Sequence, residues 1–83
     1  MKTDPCLAAS RQPTARALLA ANLVRLRKER GWSQEDLAHE AGLHRTFVAH
    51  VERQARNISL DNIERLAVAL GVRVPELLVW RDG

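Results

Sequence analysis

Eighty-three residues with a formal net charge of +3 fit one domain, and a chain this short buries only about 60% of its unfolded surface. Ala and Leu occur twelve times each, the aromatic residues are Trp32, Phe47 and Trp80, and Val and Ile are spaced helically, which is an all-α composition with little room for a pocket. A single Cys6 excludes an intramolecular disulfide, and no Cys/His spacing matches a zinc site.

In chain order, residues 1–13 mix Lys2, Asp4, Pro5, Ser10, Arg11 and Pro13 with few large apolar groups and read as a flexible arm. Its two positive charges leave open a reach into a minor groove. The apolar run 17–21 is too short for a signal or membrane segment, so the expected location is the cytoplasm. Thr14 can cap a first helix running to about Arg30, with Leu19, Leu23 and Leu26 on its inner face. Gly31 stops it, and Trp32 can fold back on Leu26. Arg25, Arg27, Lys28 and Arg30 crowd this helix end, which suits the helix dipole as well as it suits phosphates.

Ser33 with Asp36 three residues on marks a second helix start, flanked by Trp32 and Leu37 as a hydrophobic staple. Leu37, Ala38 and Ala41 share its inner face, and Gly42 ends it in a sharp turn. A third helix follows from about His44 to Arg53. Wound at about 100° per residue, it gathers Phe47, Val48 and Val51 in one arc and Arg45, Thr46, Ala49, His50 and Arg53 in the opposite one. An Arg beside a small Ala suits a DNA major groove, because Arg bonds guanine bidentately and Ala admits the backbone closely; a solvated polar face fits the same arc. The preceding capped helix, with Gln34 in its first turn, tips the reading toward DNA, since such an N-terminus can hold a backbone phosphate.

The stretch 54–58 is a loop, and Ser59 can cap a fourth helix ending at Gly71, with Leu60, Ile63, Ala67 and Leu70 as its buried stripe and Leu66 beside them. Pro75 suits the first turn of a last short helix reaching about Trp80, which makes five helices. Leu77, Leu78, Val79 and Trp80 cannot all face one core. Leu77 packs inward in this reading, and Leu78, Val79 and Trp80 form a dimer interface; Trp80 folded over the fourth helix is the competing arrangement. His39, His44 and His50 lie across a turn and share no metal. With no catalytic arrangement in view, the chain reads as a non-enzyme without a cofactor or small-molecule substrate.

The segments LVRLRKERGWSQEDLA, AGLHRTFVAHVER and LDNIERLAVALGV, with their spacings, resemble the phage-repressor and Cro-like helix-turn-helix regulators over residues 23–78. Within that family RTFVAHVERQARNIS is most similar to the restriction-modification controller proteins. The resemblance implies a five-helix, lambda-repressor-like fold over residues 14–83 and a homodimer that binds double-stranded DNA at a two-fold operator to regulate transcription. It implies base contacts by Arg45 and Thr46, with Ala49 and His50 on the same face, backbone contacts by Gln34, His44 and Asn57, and Arg56 close to the DNA. It also implies an ion pair between Arg27 and Glu52. His44 stands where the family often has a Ser, Thr or Asp cap. A phage-like repressor, an antitoxin-type regulator, and an interaction module that has lost DNA binding are the alternatives.

Overall fold

The computed structural model describes residues 13–55 and 57–80, and within them the backbone forms four α-helices and a terminal 3₁₀ segment. These are α1 (Ala15–Glu29), α2 (Gln34–Ala41), α3 (Arg45–Glu52) and α4 (Leu60–Leu70), followed by the 3₁₀ segment Val74–Leu78. Of the expected arm over residues 1–13, residues 1–12 with Cys6 lie outside the described residues, and so does Arg56.

Helix starts follow the capping residues. Thr14, Ser33 and Ser59 each turn a side-chain oxygen to the backbone N–H three residues on, at 3.1, 3.0 and 3.1 Å. Each therefore satisfies one amide that the helix itself leaves unpaired. Each of the four described α-helices also ends the same way. The carbonyls of the last turn accept a pair of bonds from the residues just beyond, as when Gly42 N–H donates to His39 at 3.2 Å and Leu43 N–H donates to Ala38 at 2.8 Å. This closure needs a left-handed residue, which Gly42 supplies at φ 71° after α2. After α3 the same role falls to Gln54 at φ 60°, the one non-glycine in that region among the described residues.

The apolar faces converge on one core. Leu19 and Leu23 of α1, Leu37 of α2, Val48 and Val51 of α3, Leu66 and Leu70 of α4, and Leu77 of the 3₁₀ segment are fully buried. Trp32 and Phe47 are partly buried against them. Burying side chains of this kind contributes roughly 1.5 to 3 kcal/mol each, and it fixes the α2–α3 pair on the scaffold of α1 and α4.

Two features depart from the pattern in the sequence. The fifth helix is not an α-helix reaching Trp80 but the five-residue 3₁₀ segment, and Val79 is already extended at ψ 136°. With Val79 extended, the carbonyls of Leu77 and Val79 turn to the side-chain amide of Asn22, 3% exposed, which donates to both at 2.9 Å and satisfies them without a further helical turn. Leu60, assigned to the buried stripe of α4, is 79% exposed. It is the first residue of its helix and falls about 70° from the centre of the set Ile63, Leu66, Ala67 and Leu70 when wound at 100° per residue.

Candidate nucleic-acid interface

The helix pair α2–α3 presents one shallow concave surface lined by Ser33, Gln34 and Glu35 from the start of α2 and by Arg45, Thr46, Ala49, His50 and Arg53 from α3. Its near edge is set by a complete capping box. Ser33 N–H donates to Asp36 Oδ2 at 2.9 Å while Asp36 N–H donates to Ser33 Oγ at 3.0 Å. The bond from the Ser33 backbone holds the Asp36 carboxyl below the usual carboxylate range. The far edge is looser, because His44 takes the N-cap position of α3 without a side-chain capping bond. The first amides of α3 are thus left without a side-chain acceptor.

Val48 and Val51 face the core, so the opposite arc of α3 must face outward, and Arg45, Thr46 and Arg53 are exposed while Ala49 and His50 are partly so. Arg45 Nη1 lies 3.9 Å from Glu35 Oε2, with both side chains 72% exposed. A solvated pair at that separation is worth about 0 to 1 kcal/mol and releases its arginine readily to a better acceptor.

Behind this surface sits a polar lock. Arg27 of α1 meets Glu52 of α3 through two parallel bonds, Nε to Oε2 at 2.9 Å and Nη2 to Oε1 at 3.0 Å, with side-chain exposures of 12% and 5%. Arg27 Nη1 also donates to the Trp32 carbonyl at 2.9 Å, and Gln34 Nε2 donates to Glu52 Oε1 at 2.9 Å. Hydrogen bonding to Glu52 raises the Arg27 pKa above its ordinary value against the opposing effect of burial. The lock joins α1, the first residue of α2 and the last of α3, so it sets the angle at which α3 is offered. Gln34 is therefore tied to Glu52 by its side chain, and its backbone N–H at the start of α2 is the group suited to a phosphate.

The arginines that crowd the end of α1 are engaged within the fold. Arg25 pairs with Glu29 at 3.2 Å and reaches Asn22 Oδ1 at 3.1 Å. Arg30 donates to the carbonyls of Leu26 and Leu70 and lies over the Trp32 ring at 5.9 Å. The three arginines of that cluster are structural, and Lys28 is exposed.

Asn57, in the loop after α3, is exposed, and its side-chain oxygen accepts a bond from Arg16 Nη2. Sequence reasoning had no hold on Arg16 or Asn22, whose partners lie 41 and 55 residues away. At the C-terminal end, Leu78 is half-buried and borders a groove with Leu19, Ile58, Leu60 and Ile63, whereas Val79 and Trp80, 44% and 55% exposed, lie beside Ala17, Leu18 and Ala21 of α1. The run 78–80 thus spreads over two faces. Among the described residues no three His, Cys, Asp or Glu side chains gather to hold a metal ion, and no helix is long and apolar enough to cross a membrane.

Two short helices at a tight glycine turn, the second exposing an arginine-bearing face and braced from behind, define a helix-turn-helix DNA-binding domain. Residues 23–77 match the helix-turn-helix family HTH_3, and the chain belongs to that family of transcription regulators. It is 53% identical over 64 residues to a hypothetical transcription factor of Neisseria meningitidis serogroup B, a match covering 77% of this chain and 60% of that protein's length. It is 53% identical over 55 residues to the control protein C.BamHI of Bacillus amyloliquefaciens, covering 66% of this chain and 67% of the relative. Its fold superposes on the crystal structure of the restriction-modification controller protein C.AhdI from Aeromonas hydrophila with a TM-score of 0.72, at 45% identity over 75% of this chain and 94% of the other.

Proposed function

We propose that the protein is a sequence-specific transcription regulator of the restriction-modification controller type, acting in the cytoplasm as a homodimer on a two-fold operator and catalysing no reaction. The observation that carries the reading is the surface shared by the first turn of α2 and the outward arc of α3, with Arg45, Thr46, Ala49 and His50 facing out and a bidentate ion pair holding the helix from behind. Similarity to C.BamHI and C.AhdI supports the sub-type.

In this reading α3 enters the major groove. Arg45 bonds a guanine edge through its planar fork, Thr46 contacts a neighbouring base, and Ala49 and His50 lie close along the groove. The start of α2 at Gln34, the N-cap His44 and the loop at Asn57, with Arg56, meet the phosphate backbone and set the register. One short helix reads few base pairs, so two copies related by a two-fold axis span half-sites about one helical turn apart. Leu78, Val79 and Trp80, with Leu60 beside Leu78, supply the apolar surface for that pairing. Selection of binding sites from random DNA tests the whole reading. The expected product is a two-fold sequence with paired half-sites, and enrichment of no sequence would reject it.

A further inference from the structure

We infer that Arg16 of α1 is a DNA-backbone contact, so that the first helix as well as the helix pair grips phosphate. This rests on the DNA-binding reading above. The guanidinium of Arg16 donates from Nη2 to Oδ1 of Asn57 in the loop after α3, and Arg16 itself is exposed. Among the described residues Arg25 faces Glu29, Arg27 faces Glu52 and Arg45 lies 3.9 Å from Glu35, whereas Arg16, like Arg53, Arg65 and Arg73, meets no described carboxylate within ion-pair distance.

The partner is informative too. A neutral amide oxygen accepts from Arg16 without neutralising it, so a full positive charge remains at the loop, beside a side chain whose own amide nitrogen is a donor. A guanidinium and an amide N–H side by side form a donor set that matches the oxygens of a phosphate, which accepts charge-assisted bonds far better than an amide does. Placement agrees with this. Arg16 shares the wall of one groove with Gln54, Asn57, Ile58, Leu60 and Leu78, between the loop that follows α3 and the apolar rim assigned to pairing. On a two-fold operator, that position addresses phosphates near the centre of the site.

The test is the salt dependence of binding to a duplex of arbitrary sequence and to the selected operator, for the wild type, Arg16→Met and Arg16→Lys. Loss of one phosphate contact should make the log–log salt slope shallower by about 0.9 per protomer on both duplexes, because each neutralised phosphate releases its condensed counterion. Arg16→Lys, which keeps the charge, should restore the slope. Melting temperatures should be alike in all three proteins, since the side chain is solvated. Weaker binding of Arg16→Met with an unchanged slope would make Arg16 a brace for Asn57 and overturn the proposal, and so would full wild-type behaviour. A wild type that binds neither duplex would overturn the DNA reading itself, a failure distinct from loss of the slope change alone.

Discussion

The side-chain amide of Asn22, in the middle of α1, holds the carbonyl of Leu77 at 2.9 Å across 55 positions of sequence. A second bond at 2.9 Å to Val79 makes it a clamp on the end of the described chain. Replacing Asn22 with Ala leaves the buried Leu77 carbonyl and the part-buried Val79 carbonyl without this donor and is expected to destabilise the fold by about 1 to 3 kcal/mol, read from denaturant unfolding. Because the clamp also shapes the segment bearing Leu78 and Val79, the variant should dimerise more weakly than its loss of stability alone explains.

The pairing of Arg27 with Glu52 calls for a double-mutant cycle. Each side chain is mostly buried, so Glu52→Gln or Arg27→Met should each cost about 3 kcal/mol, with much of that cost being the partner left buried and alone. The double variant should lose much less than the sum. Additive losses in thermal melts would mean that the bonds seen between them contribute nothing.

Gln54 closes α3 at φ 60°, where a side chain is strained. The residue is exposed, and Gln54→Gly should therefore relieve backbone strain without losing a packing contact, raising stability by about 1 kcal/mol. The check is the unfolding midpoint. A lower midpoint would show that Gln54 makes a compensating interaction.

Much of this architecture was legible in the sequence because its signals are short-range. Ser33 with Asp36, Gly42, Thr14, Ser59 and Gly71 each announce a helix end within a few residues, and the 3.6-residue period exposes Val48 and Val51 against Arg45 and Thr46. What escaped depends on contacts far along the chain. Asn22 is one polar residue on an apolar helix face, and its partners are backbone carbonyls that carry no sequence signature. Pro75 is compatible with an α-helix start and with a 3₁₀ segment alike, so the residue itself does not distinguish them. Arg25, Arg27 and Arg30 offered two readings until Glu29, Glu52, Leu70 and Trp32 were seen to engage them, while Lys28 is exposed. Arg27 and Glu52 lie 25 residues apart, and only the resemblance to phage repressors named them together.

The exposed apolar groups Leu60, Val79 and Trp80, with half-buried Leu78, bear on assembly. Light scattering at micromolar concentration should give about twice the monomer mass, and Leu78→Glu or Trp80→Ala should lower it. A monomer mass at high concentration together with full operator affinity would rule out the two-fold reading.

That the outward face of α3 reads base pairs is most directly checked with Arg45→Ala on the selected operator. Removing a bidentate contact to guanine should cost about 1 to 3 kcal/mol of specific binding and relax the preference at one position in each half-site. Arg45 is 72% exposed in its side chain, so the melting temperature should be unchanged. Operator affinity equal to that of the wild type at the same salt concentration, with the same preference at every position, would contradict the claim.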